Sequence, residues 1–334
     1  MRYLSVGGAE RFSKIGLGTS QFGSRKWGYG DDYARSVAGR VVARALELGV
    51  TLFDTAELYG HGRSERILGA ALRDGLEASA RDRGGIVVAS KILPVCPVSV
   101  VVQQRGVASA ARLGTGRIDL YQVHAPNSVV RDGTTMRGMR RLRAAGVIGD
   151  VGVSNYPLRR WRAAESALGA PVLSNQVRYS LLDRGPGDAL IPYAAERGRV
   201  IIAYSPLAQG ALSGRYDPDH RPTSPVRRAN PHFAPENLRR AAPLLSVLRE
   251  VGRAHDATPA QIALAWALHH PNVVAIPGAS SVEQLEGNVA AAEIGLTDDQ
   301  YAALTDAARR YQPVKVSRLA GRFGGAARET RPAS

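Results

Sequence analysis

The sequence predicts an α/β protein, a single (β/α)8 barrel, and three observations lead there. Short apolar runs of strand type recur along the chain, and several end in a polar residue. Between most of them lie Ala/Leu/Arg segments with the 3.6-residue period of amphipathic helices. The runs number eight, at residues 15–18, 51–54, 86–91, 120–124, 150–154, 172–176, 200–205 and 273–277. Strands alternating with helices imply parallel pairing with right-handed crossovers, and eight units imply a closed barrel rather than an open sheet. A length of 334 residues suits one such barrel with insertions.

The elements follow in order. Periodic segments at 34–48, 98–113 and 187–197 read as helices between strands. The rhythm breaks after the seventh run, where residues 206–258 form an insertion rich in Pro, Arg and Asn from Arg215 to Pro235. An insertion there hangs over the C-terminal face of the barrel, so it is expected to act as a lid or cofactor clasp. Helices at 236–255 and 259–269 follow, the second opened by Thr258, Pro259 and Gln261 as N-cap, N1 and N3. Thr297 and Gln300 cap a further helix in the same way. The domain is expected to span residues 1–334, with its core at about 14–308 and a loose Gly/Arg/Ala-rich tail at 318–334.

Bulk properties narrow the class. The chain is 44% hydrophobic and 22% charged, with no run of 18 apolar residues that would span a membrane. The N-terminus lacks the apolar core of a signal peptide. Cys96 is the single cysteine, so no intrachain disulfide exists and a reducing cytoplasm is expected. Net charge is +15, which raises nucleic acid as a partner. The arginines, however, are spread along outer helix faces, such as Arg137, Arg140, Arg141 and Arg143, without interleaved aromatics. No nucleic acid and no membrane partner is therefore expected. Surfaces are not legible in one sequence, so both a monomer and a homo-oligomer stay open.

Four residues carry the chemistry: Asp54, Tyr59, Lys91 and His124. Asp54, Lys91 and His124 end successive strand runs, and Tyr59 sits in the loop after the first of these. Side chains delivered by consecutive strand ends are how a barrel builds an active site. A carbonyl accepts hydride only as its oxygen is protonated or polarised. Free tyrosine donates reluctantly at neutral pH, and a neighbouring ammonium lowers its pKa. Tyr59 then serves as general acid, Lys91 and Asp54 tune it, and His124 donates to the carbonyl oxygen. Each residue alone also has a structural reading: Asp54 as a turn cap, Tyr59 as rim packing, His124 as a satisfied edge histidine. Lys91 is harder to place structurally. The chain has four lysines, and this one ends a buried run, where an unpaired ammonium is costly.

These residues lie in phrases that resemble the aldo-keto reductase signature. They are Leu52-Phe53-Asp54-Thr55-Ala56-Glu57-Leu58-Tyr59-Gly60 with Ser64-Glu65-Arg66-Ile67-Leu68-Gly69, then Val88-Ala89-Ser90-Lys91 and Asp119-Leu120-Tyr121-Gln122-Val123-His124. Further matches are Val151-Gly152-Val153-Ser154-Asn155-Tyr156, Ser174-Asn175-Gln176-Val177, the segment from Ala203 to Gly210, and Ile276-Pro277-Gly278-Ala279-Ser280-Ser281. Their spacing, with Trp27-Gly28-Tyr29-Gly30, resembles the branch of bacterial general reductases, plant-type members and pyridoxal reductases. Channel β-subunits are more distant relatives.

The resemblance implies a barrel binding NADPH or NADP+ without a Rossmann fold, consistent with the absence of G-x-G-x-x-G after any strand. It implies that Ser154, Asn155 and Gln176 hold the nicotinamide carboxamide and that Tyr204 stacks on the ring. Ser205, Leu207, Gln209, Gly210 and Arg215 would line the pyrophosphate, with Pro206 and Leu212 among the further cofactor contacts. Gly278, Ser280, Gln284 and Asn288 would reach the adenosine end, with Gly18, Thr19, Ile276 and Pro277 completing the site. Ala279-Ser280-Ser281 stands where many relatives place Arg or Lys, so NADH stays open beside NADPH. Phe22, Trp27 and Tyr29 are expected to wall the substrate pocket, and no metal is expected. The reading is reduction of a small-molecule aldehyde or ketone. A reductase of one specific substrate (pyridoxal, a keto-sugar or a natural-product ketone) and a cofactor-binding regulatory subunit are the alternatives.

Overall fold

The apolar runs become strands buried on both faces, as a parallel sheet walled by helices requires. The computed structural model describes residues 1–6, 9–23, 33, 36–79 and 83–314. An antiparallel pair comes first, β1 (Tyr3–Val6) and β2 (Ala9–Ser13). Eight parallel strands follow, with neighbours in the sheet in sequence order. They are β3 (Leu17–Gly18), β4 (Leu52–Asp54), β5 (Val87–Ile92), β6 (Ile118–Val123), β7 (Ile148–Ser154), β8 (Ser174–Arg178), β9 (Val200–Tyr204) and β10 (Val273–Ala275). Ile15 bridges Ala275 and Gly18 bridges Gly278, both in parallel sense, so the first strand meets the last and the sheet closes.

Helices α1 (Ala38–Glu47), α2 (Arg63–Ala78), α3 (Ser99–Leu113), α4 (Asp132–Ala144), α5 (Leu158–Leu168) and α6 (Leu190–Glu196) alternate with the strands. The connection from β9 to β10 holds α7 (Pro225–Arg228), α8 (Pro235–Ala254) and α9 (Pro259–Ala267). Helices α10 (Val282–Ala290) and α11 (Asp298–Arg310) end the described chain. Both expected capping boxes are present, at Thr258/Gln261 and Thr297/Gln300.

Boundaries move where the backbone decides. The last strand ends at Ala275 rather than at 277, because Pro277 has no N–H to donate to a ladder. The sixth runs from Ser174 to Arg178, two residues later than expected. The insertion at 206–258 is more regular than its composition suggests, with α7 and a 3-10 turn at Pro231–Phe233. Phe233 is fully buried there and meets the Tyr216 ring edge-on at 5.2 Å. The tail at 318–334 lies outside the described residues.

The first hairpin was not foreseen, although Gly7-Gly8 between two short runs is a hairpin signal. It seals the N-terminal end of the barrel. Phe12 of β2 packs with Leu52, Val87, Leu120, Val200 and Val274 from the barrel interior. Thr51 at the start of β4 ties the hairpin on, exchanging hydrogen bonds with Ser13 and donating to the Arg11 carbonyl. Arg11 reaches Asp150 of β7 at 2.6 Å.

Helix α2 passes close to the end of α3. A Cβ on Gly69 would stand 2.0 Å from the Leu113 carbonyl oxygen, so the helix backbones touch. Gly69→Ala is expected to destabilise the fold by at least about 1–3 kcal/mol, since only a backbone shift relieves the overlap. Urea denaturation of the variant checks this.

Candidate active site

The ends of β4, β5 and β6 converge at the C-terminal mouth. Asp54 is the last residue of β4, Lys91 the fifth of β5, and His124 the first residue past β6. Register Asp54↔Ala89 sets Lys91 two residues farther along β5 than the position opposite Asp54, and its side chain reaches across to the carboxylate. Its Nζ lies 2.5 Å from Asp54 Oδ1, 2.8 Å from the Thr55 carbonyl oxygen and 3.4 Å from the Tyr59 hydroxyl. The second carboxylate oxygen of Asp54 accepts from Gln176 Nε2 at 2.7 Å and Gln122 Nε2 at 3.4 Å. Lys91 is fully buried and Asp54 nearly so.

Burial alone would lower the Lys91 pKa. The Asp54 carboxylate, helped by Tyr59, outweighs it and holds the ammonium above its ordinary value. Tyr59 behaves differently from expectation. Burial raises its pKa, and the nearby Lys91 charge pulls it back only in part. A buried phenolate is so poorly solvated that the ammonium does not compensate, and Tyr59 keeps its proton. The His124 ring meets the Tyr59 ring edge-on at 5.7 Å and 87°. Burial, with Lys91 adding, lowers the His124 pKa to about 3, so the ring is neutral at physiological pH. Its Nδ1 is buried without a hydrogen-bond partner.

A cleft of about 500 Å3 opens over Asp54 and Tyr59, while Lys91 and His124 stand outside its lining. Asp54, Tyr59 and Gln176 line it from the barrel. Gly18 at the end of β3 and Thr19, Ser20 and Gln21 after it line it, as do the run from Ile276 to Ser280 in the β10–α10 turn and Gln284 and Asn288 in α10. Ser205, the first residue past β9, precedes the insertion, which contributes Pro206, Leu207, Gln209, Gly210, Arg215, Tyr216 and Arg227. The backbone here is left-handed at Ser205 (φ 50°), Ala208 (φ 48°), Gln209 (φ 61°) and Gly210 (φ 102°). Gly210 adopts this freely, but the three non-glycine residues cost on the order of 1–3 kcal/mol each and persist only where the surrounding structure over-determines them. Gln209 is held in this way: Arg227 Nε donates to its carbonyl at 3.1 Å, and Asn230 Nδ2 to its side-chain oxygen at 3.1 Å. Among the described residues, no helix is long and apolar enough to cross a membrane.

A family model described as the aldo/keto reductase family matches residues 14–309. The chain belongs to the aldo/keto reductase family. It is 57% identical over 319 residues to an uncharacterized oxidoreductase of Mycobacterium tuberculosis, covering 96% of each chain. Among solved structures, it resembles the glycerol dehydrogenase of Gluconobacter oxydans, with a TM-score of 0.82 and 25% identity over 95% of this chain and 98% of that one. It also resembles an aldo/keto reductase from Klebsiella pneumoniae in complex with NADP and acetate, with a TM-score of 0.72 and 28% identity over 94% of this chain and 96% of that one.

Not every residue expected at the site of this aldo/keto reductase lies on the cleft. Ser154 is buried beside it, and Asn155 is exposed with φ 59°, accepting from the Tyr204 hydroxyl at 3.0 Å. Leu212 is fully buried in the core between barrel and helices and does not face the cleft. Phe22 is likewise fully buried, 6.2 Å from the Tyr33 ring, so it supports the wall from behind instead of forming it. Trp27 and Tyr29 lie outside the described residues. Sequence reasoning missed Gln21, Tyr216, Arg227 and Gln261 on the cleft. Gln261 was legible only as a cap, and Arg227 sits in an insertion where no pattern singles out one arginine.

Proposed function

We propose that this aldo/keto reductase reduces an aldehyde or ketone to the alcohol with NADPH, using Tyr59 as general acid. The observation that carries the reading is the Lys91 ammonium, held between the Asp54 carboxylate and the Tyr59 hydroxyl beneath an open cleft. A bound nicotinamide supplies the hydride. Tyr59 keeps its proton until negative charge develops on the substrate oxygen, and Lys91 then stabilises the phenolate it leaves. Neutral His124 donates a hydrogen bond to the same oxygen. With Nδ1 unpartnered, the proton belongs on Nε2.

The cleft's shape and donors fit a dinucleotide. Gln176 has one amide hydrogen on Asp54 and keeps its oxygen and second hydrogen for a carboxamide beside Ser154 and Asn155. The strained turn from Ser205 to Gly210 and the arginines 215 and 227 would meet the pyrophosphate. At the other end, the Ser280 hydroxyl donates to Gln284 Oε1 at 2.8 Å, and Ser281 Oγ caps the Gln284 N–H at 3.3 Å. No Lys or Arg occurs from Gly278 to Asn288, so NADH is kept beside NADPH in the reading.

The test is NADPH oxidation at 340 nm over a carbonyl panel of 4-nitrobenzaldehyde, methylglyoxal, pyridoxal and keto-sugars, with NADH in parallel. Turnover on at least one carbonyl is expected. Its rate should show no inflection between pH 5 and 8, because His124 titrates near 3 instead of near 6.5. Tight cofactor binding with no turnover on any carbonyl would overturn the reading in favour of a regulatory subunit.

A further inference from the structure

Neither residue of the run Ser64-Glu65, at the start of α2, lines the cleft, yet both side chains are fully buried and polar. Glu65 Oε1 accepts from the Ser90 hydroxyl at 2.6 Å, and Oε2 pairs with Arg112 Nε at 2.5 Å. Ser90 is the residue before Lys91 on β5, facing the helix layer while Lys91 faces the barrel mouth. Arg112, from the end of α3, also lies over the loop that carries Tyr59: a Cβ on Gly62 would stand 2.6 Å from its side chain. Ser64 holds the other partner. Its N–H donates to the Tyr59 carbonyl at 3.2 Å, and its hydroxyl donates to the Thr19 carbonyl at 2.8 Å while accepting from Thr55 at 2.9 Å. One helical turn thus grips the strand of Lys91 and the loop of Tyr59 together.

We propose that Ser64 and Glu65 are positioning residues that set the 3.4 Å separation of Lys91 and Tyr59. The inference rests on the reading of Tyr59 as the acid. A buried carboxylate ordinarily counts against stability unless it is paired and fully hydrogen-bonded, and Glu65 is both. The Lys91–Tyr59 contact is long for a hydrogen bond, so its effect on the tyrosine depends steeply on small displacements of either backbone. Tying both to one rigid turn fixes that distance without adding a group to the cleft.

The test uses the full chain and the best carbonyl of the panel, with Ser90→Ala, Ser64→Ala and Glu65→Gln beside Tyr59→Phe. We expect kcat to fall about tenfold in each serine variant, with KM and NADPH affinity (by protein fluorescence) within about twofold. The alkaline limb of kcat should move to higher pH, because a tyrosine farther from Lys91 loses its proton less readily. Glu65→Gln leaves Arg112 without its carboxylate and should act more strongly. Should it fail to fold, the serine variants, which remove one hydroxyl each, carry the test. Wild-type kcat and an unmoved limb in both serine variants, with Tyr59→Phe inactive, would overturn the inference alone. A lowered melting temperature with unchanged kcat and limb per folded molecule would overturn it too, by making the network merely structural. Turnover retained in Tyr59→Phe would remove the acid and the inference together.

Discussion

Tyr59→Phe is expected to lower turnover by about 100- to 10,000-fold, the range that a positioned general acid supplies. The substitution removes one hydroxyl and leaves the ring, so its edge contact with His124 and its place over the Lys91 ammonium, 4.9 Å from the ring centroid, persist. Cofactor affinity should hardly change, because the hydroxyl is one polar atom on a long cleft whose other walls come from the loop after β3, the insertion and the β10–α10 turn. Stopped-flow turnover and equilibrium binding of NADPH, measured on the same preparation, separate the two effects. A variant with near-normal kcat would remove Tyr59 as the proton donor.

Lys91→Met should damage both rate and stability, and the reason is Asp54. Without the ammonium, the Asp54 carboxylate stays buried with only the Gln176 and Gln122 amides as donors. Removing one partner of a buried ion pair costs on the order of 3–5 kcal/mol. The rate falls for a separate reason: burial already raises the Tyr59 pKa, and Lys91 is the main group opposing it. Adding Asp54→Asn to Lys91→Met removes the stranded charge, so the double variant should recover much of the stability and none of the turnover. Urea melts and kcat on the single and double variants check this, and equal losses in both quantities would refute the separation.

The barrel was legible because its strands are short, apolar and evenly interrupted, and the tetrad because Lys91 is out of place by chemistry: a lone lysine at the end of a buried run. Partnership was legible to that extent but its balance was not. Whether Lys91 or burial governs Tyr59 depends on solvent exclusion from all sides, which no linear pattern records. The hairpin of β1 and β2 was missed because its two short strands bury residues such as Phe12 against distant strand starts, a contact invisible to local periodicity. Phe22 was misplaced for the same reason: an aromatic after a strand end reads equally as a pocket wall or as core. Ser64 and Glu65 were read within a motif, but their role emerges only when β5, α2 and α3 are assembled around them.

That overlooked hairpin has a bearing on traffic. By adding Phe12 to the apolar side chains that fill the barrel, and lashing itself to Thr51 and Asp150, it extends the packed core down to the floor. With Leu52, Val87, Leu120, Val200 and Val274 already filling the interior, nothing reaches Tyr59 from below, and whatever meets it must enter by the mouth.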